Sequence, residues 1–232
     1  MTNERKIAIA VGSFFLIAMV GSIAGGVMIN EILVAPKVLE AAAEQRGLLI
    51  LGVWLELSNA LSVAGIGILM FPMLRRYDEN LARGYMGLRI LEAVWTTIIV
   101  VGPLALITLS QQAAGASGAE LAALEGAAAL AIAQRGAVAS LLVLLFFSLG
   151  AMLLYYALYQ TRLLPRFISI WGMAGVAMVV ALNALGLEVS IPVHLIFAMA
   201  IIANEIFMGI WLIAKGFNLE PSTSESLQVA PA

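Results

Sequence analysis

Long apolar runs broken by short polar clusters organise this chain. Near 7–30, 47–72, 84–110, 136–160, 167–187 and 192–214, Leu, Ile, Val, Ala, Met and Phe follow one another with almost no charge. About 20 such residues wound as an α-helix cross the hydrocarbon layer of a membrane. Lipid offers backbone amides no partner, so each run must satisfy its hydrogen bonds within itself, and none shows the two-residue alternation of a barrel strand. The pattern predicts an all-α, polytopic integral membrane protein: a bundle of six transmembrane helices over residues 1–217. A polar tail over 218–232, rich in Ser and Pro, is expected to be a disordered cytoplasmic extension.

The opening MTNERKIAIAVGSFFLIAMVGSIAGG imitates a signal peptide, but its uncharged stretch runs from Ile7 to Asn30. That exceeds the roughly 7–15 residues of a signal core, so a retained first helix is expected. Basic residues near the helix ends set the orientation. Arg5, Lys6, Arg75, Arg76, Arg83, Arg162, Arg166 and Lys215 fall on one side, and Lys37, Arg46 and Arg135 on the other. Both termini are therefore expected to be cytoplasmic, in a multi-pass protein.

Between the runs, Pro36 and Gly47 bracket a short helix in the first outer loop. Ser117 and Glu120 have capping-box spacing, so a helix is expected to open there and lie on the membrane surface or over the bundle's outer mouth. The short inner turns RRYDENLARG and TRLLPRF make helices two and three, and four and five, antiparallel neighbours. Gly102-Pro103 should kink the third helix. Small residues four apart, Gly21 with Gly25 and Ser22 with Gly26, allow the first helix to approach a neighbour closely.

Composition sharpens the class: 62% of residues are hydrophobic and 11% charged, where soluble domains carry about a quarter charged. A net charge of −2 with no basic, aromatic-interleaved stripe argues against nucleic acid as a partner. With no cysteine and one histidine, neither a thiolate centre nor a multi-histidine metal site can form, and no cofactor is called for. The bilayer itself is the expected partner.

Four ionisable residues lie well inside the predicted helices: Glu56, Arg89, Glu92 and Glu205. Each disfavours insertion by roughly 2.5–3.5 kcal/mol near the bilayer centre, so compensation is required. At 1.5 Å per residue, Arg89 sits roughly 7 Å, Glu92 roughly 12 Å and Glu205 roughly 14 Å from the cytoplasmic end, so the three can meet, whereas Glu56 is roughly 24 Å deep. Arg89, Glu92 and Thr96 share one helical face, as do Glu56 and Asn59, and His194 with Glu205. Arg89 is expected to neutralise Glu92 or Glu205, and Glu56 to be a neutral acid bonded to Asn59 or another helix. Asn183 and Asn204 fit interhelical glue or cavity lining, and His194 an outer-interface position. Tyr155, Tyr156, Tyr159, Trp171 and Trp211 fit an aromatic belt.

Five segments carry a resemblance that runs from about residue 12 to 217: VGSIAGGV, LELSNAL, LRRYDENLARGYMGLRILEAVW, LGAMLLYYALYQTRLLPRFISIWG and NEIFMGIWLIAKGF. Together they resemble the bacterial membrane protein family catalogued as domain of unknown function 4386. The resemblance implies a six-helix prokaryotic inner-membrane protein, with Glu56, Arg89, Glu92 and Glu205 as part of the family's polar pattern. It carries over no catalytic role.

Two readings of the polar set follow. In the first, the residues line a small-ligand or proton pathway in a transporter-like protein. In the second, a non-enzymatic membrane scaffold or sensor, which could be a homo-oligomer, uses the charges only to fix helix packing. Intramembrane catalysis ranks last, because no metal-ligand cluster, Ser/His/Asp set at one depth or Gly-rich phosphate loop is present.

Overall fold

Thr2 starts the first helix: its side chain accepts a hydrogen bond from the Arg5 amide, satisfying one of the N–H groups that a helix start leaves open. From there α1 runs over Asn3–Leu33 without a proline to stop it. The computed structural model describes the backbone of residues 1–184 and 191–218, and the side chains of 1–181, 183 and 199–218. Within them the chain is all-helical, with no strand. After α1 come α2 (Val38–Glu44), α3 (Arg46–Leu74), α4 (Glu79–Ile98), α5 (Val101–Ala113), α6 (Gly118–Ala137), α7 (Leu144–Thr161), α8 (Arg166–Ala184) and α9 (Ile191–Ala214). The tail beyond residue 218 lies outside the described residues.

Four stretches are long and apolar enough to cross a membrane: α1, α3, the α4–α5 stretch Glu79–Ala113, and Gly118–Thr161. Two shorter apolar helices lie over Arg166–Ala181 and Met199–Ala214. Large apolar side chains such as Val27, Trp54, Leu61 and Leu141 stand exposed on the long ones. An apolar surface of that extent suits contact with a lipid bilayer.

One local expectation changes. The helix opening at Ser117 is not a separate surface element, because it continues through α6, a π-helical turn at Val138–Val143 and α7 as one 44-residue stretch. Ser117 stands at the N-cap without a capping bond from its side chain, and the chain enters the helix through Gly118 at a left-handed φ of 57°. Pro36 and Gly47 do flank a short helix, α2, and Gly47 itself lies in the first turn of α3.

The break between α4 and α5 has a backbone cause. Pro103 has no N–H to give to the carbonyl four residues back, that of Ile99, and the helix stops at Ile98 and resumes at Val101.

Small residues set the closest helix contacts. A Cβ on Gly25 of α1 would lie 2.9 Å from the Gly52 carbonyl oxygen of α3, so only glycine permits that approach. At the other face of α1, a Cβ on Gly12 would meet the Gly209 carbonyl oxygen of α9 at 2.5 Å. The first and last helices thus touch backbone to backbone. Arg5 fastens the same seam, donating from Nη1 to the Leu212 carbonyl at 3.0 Å and from Nη2 to that of Ile213, in the last turn of α9, where side-chain donors complete the carbonyls. Glu4 pairs with Arg76 in the α3–α4 turn at 3.0 Å, and the Asn218 amide donates to Leu163 in the α7–α8 turn at 2.8 Å. These contacts gather the N-terminus, both turns and the end of α9 at one end of the bundle, called the basic end below.

Buried apolar side chains form two main clusters. One, around Phe15, Met70, Tyr85, Leu154 and Met208, fills the half toward the basic end. The other, around Ile29, Leu49, Val53, Ile99 and Leu106, fills the far half. A thin third cluster of Ala18, Val63 and Ala93 lies beside the cavity described next, which Phe15 of the first cluster also lines.

Candidate functional site

Spacing places Arg89, Glu92 and Thr96 on one face of α4, and all three are buried there. The stem of Arg89 runs in a slot made by two glycines. A Cβ on Gly67 of α3 would stand 2.8 Å from Arg89 Cβ, and one on Gly150 of α7 would stand 3.4 Å from Arg89 Cδ. Its guanidinium Nη1 donates to Glu92 Oε2 at 2.8 Å, with both side chains about 95% covered. Such a charge-assisted bond is strong in a low-dielectric interior.

Beside this pair lies a cavity of about 240 Å³. Arg89, Glu92 and Thr96 line it from α4, Asn59 from α3, Ser22 from α1 and Glu205 from α9. Phe15, Met19 and Phe147 supply apolar wall, and Val143 at the end of the π-helical turn closes one side. Glu205 has no hydrogen bond or ion pair among the described residues. Several buried donors near the cluster also lack protein partners: Arg89 Nε, the hydroxyls of Tyr85 and Tyr155, and Ser148 Oγ. Polar groups left open like this are the kind that internal water or a ligand completes.

A second charge centre forms in the far half. Glu56 does not bond Asn59; of the two partners the sequence allowed, Asn59 or another helix, it takes the second. It accepts both guanidinium nitrogens of Arg135 on α6, with Nη1 to Oε2 at 2.8 Å and Nη2 to Oε1. Arg135 Nη1 also donates to the Ile99 carbonyl at 2.8 Å, the acceptor that Pro103 frees. The buried acids therefore draw on two guanidinium groups, not one. Sequence reasoning counted Arg135 as a loop charge, although it precedes the expected fourth span by one residue and so lies near the depth estimated for Glu56.

Other candidates separate from the cavity. Asn204 is fully buried and donates from Nδ2 to the Ile168 carbonyl at 2.9 Å, tying α9 to α8. Asn183 is exposed and bonds the Val179 carbonyl of its own helix, and it stands apart from this cavity, lining a separate groove of about 570 Å³ between α7 and α8. The side chain of His194 lies outside the described residues. Tyr155 is not a belt residue: it is fully buried, with its ring against Gly172 where any Cβ would collide. Its depth follows from that helix–helix contact, which one helix's sequence does not reveal. Trp171 and Trp211 join Phe167 and Phe207 in an aromatic stack between α8 and α9. Ser22, read only as a packing residue, lines the cavity.

A larger cavity of about 780 Å³ opens between α2, the end of α5 and the start of α6. Its one basic residue, Lys37, already bonds Glu40 at 2.8 Å, and that bond holds the ammonium pKa above its ordinary value. Both side chains are exposed, so this pair resembles an ordinary surface contact. Among the described residues, no group of three or more His, Cys, Asp or Glu side chains could hold a metal ion.

A family model described as "Domain of unknown function (DUF4386)" matches residues 10–216. No curated protein and no solved structure matches the chain.

Proposed function

The chain belongs to the DUF4386 family, and from its buried charges we propose that it is a proton-coupled membrane carrier for a small solute. In this reading six helices span a bacterial inner membrane, with α8 and α9 adding two crossings to the four long apolar stretches. Both termini face the cytoplasm, a placement supported by the basic residues collected at that end. Glu205 is the group that exchanges a proton for solute. Asn59, Thr96 and the Arg89–Glu92 pair shape the site.

One observation carries the proposal: a carboxylate on α9 borders a cavity of about 240 Å³ without a partner among the described residues, opposite a buried ion pair. Intramembrane acids left uncompensated mark proton and solute pathways more often than packing contacts. The Glu56–Arg135 pair, by contrast, lines none of the cavities described among these residues and is assigned to packing, which keeps the scaffold role for that half of the bundle alone.

Proteoliposomes loaded with a pH-sensitive dye provide the test. Pulses from a panel of small amines, carboxylates and sugars should produce a lumenal pH change for at least one solute, and Glu205→Gln should abolish it while the protein remains folded. A panel that leaves the pH unchanged, or an unaltered response in Glu205→Gln, rejects the carrier reading.

A further inference from the structure

The charges around the cavity indicate what it holds, a step that rests on reading it as a solute site. Its charged lining consists of Arg89, Glu92 and Glu205. Arg89 and Glu92 neutralise one another through their 2.8 Å bond. Glu205 is left over, so in their ionised forms the walls carry one negative charge in excess. A cation balances it.

Hydrogen-bonding capacity points the same way. A threonine inside a helix ordinarily returns its hydroxyl proton to the carbonyl one turn back, as Thr97 does to Ala93 at 2.9 Å. Thr96, 2% exposed and on the cavity wall, makes no such bond among the described residues. The wall thus offers four acceptors, the Glu205 carboxylate, the free Oε1 of Glu92, the Thr96 hydroxyl and the Asn59 amide oxygen, beside the donors that Arg89, Ser22 and the Asn59 amide also carry. Opposite them, Phe15, Phe147 and Met19 give an apolar wall with two aromatic rings.

We propose that this cavity binds a compact organic monocation bearing a primary ammonium group. An –NH3⁺ head presents three donors, which Glu205, Thr96 and Asn59 can accept, while a short hydrocarbon body meets the aromatic wall. At about 240 Å³ the space falls below the roughly 300–1,000 Å³ of drug-sized pockets, so the guest is a small amine.

Thermal unfolding of the full-length protein in detergent, followed by tryptophan fluorescence, tests the assignment. Propylammonium chloride is compared with its neutral isostere 1-propanol, with sodium propionate, and with sodium chloride at matched ionic strength. The ammonium should raise Tm progressively with concentration, because a guest that binds only the folded state stabilises it. The other three should not. Glu205→Gln should weaken the response at least tenfold, and Thr96→Val, which keeps the charge and the shape, should weaken it several-fold. Thr96→Val decides the matter if Glu205→Gln does not fold.

An equal rise with propanol, propionate or sodium chloride overturns the ammonium assignment, as does no rise with propylammonium or a full response in both variants. A propionate-specific rise rejects the cation while leaving a solute site in place. The flux measurement on proteoliposomes stands apart, since a guest can bind without being carried.

Discussion

At the far half of the bundle, Arg135 meets Glu56 with two nitrogens and completes the Ile99 carbonyl as well. Toward the basic end, Arg89 reaches Glu92 with one nitrogen, leaves Nε without a partner, and stands beside a cavity bordered by Glu205, which has no partner among the described residues. Both centres join arginine to glutamate, and both are almost wholly covered. What separates them is that no buried polar atom of the first pair lacks a partner, whereas Arg89 Nε does. A fully bonded buried pair fixes one arrangement of helices, whereas an incomplete one leaves polar capacity for something else to satisfy. Intramembrane charge alone therefore does not distinguish a packing device from a working site; the tally of bonds made and unmade does.

The contrast can be broken most forcefully at the complete pair. Arg135→Ala strands Glu56 and the Ile99 carbonyl together and should lower stability by about 3–5 kcal/mol in a denaturant titration in mixed micelles. Replacing both Glu56 and Arg135 by leucine should recover much of that loss; a double variant less stable than the single one would count against a packing role.

At the incomplete pair, Arg89→Gln and Glu92→Gln should each destabilise by about 2–3 kcal/mol, with a coupling of about 1 kcal/mol or more in the double-mutant cycle. Strictly additive effects would show that the two side chains do not act on one another. Gly67→Ala leaves every charge in place but puts a methyl 2.8 Å from Arg89 Cβ, so crowding should remove about 1–3 kcal/mol. The same assay should find Glu205→Gln within about 1 kcal/mol of the parent, because that carboxylate holds no partner in place. Its effect should appear in transport instead. Smallest of all, Asn183→Ala should change stability by no more than about 0.5 kcal/mol, as expected of an exposed side chain bonded to its own helix.

The helical class and the family were legible in the sequence, because uninterrupted apolar runs leave the backbone no alternative to helix and because the matching segments extend over residues 10–216. The shared face of Arg89, Glu92 and Thr96 followed from helical spacing, and Glu205 was brought to their level by counting depth. The partner that Glu56 takes on another helix was missed for a definable reason: partners were sought only inside predicted spans, and Arg135 stood one residue outside. Counting depth from the far end for Arg135 and from the basic end for Glu56 would have placed the two side by side. The burial of Tyr155 against Gly172 had no comparable signal, since it depends on how two helices meet. Nor could the sequence show that the surface helix and the fourth span are continuous, because the π-helical turn that joins them has no proline or glycine to announce it.

The meeting of Gly12 with Gly209, sealed by Arg5, has a consequence for biogenesis. It joins segments separated by nearly the whole polypeptide, so during synthesis α1 enters its surroundings long before the helix it will rest against has left the ribosome. Until then the glycine side of α1 lacks its permanent neighbour. Closure of the bundle is consequently a late event, and a nascent chain cut short before α9 would keep an open flank for quality-control machinery to recognise.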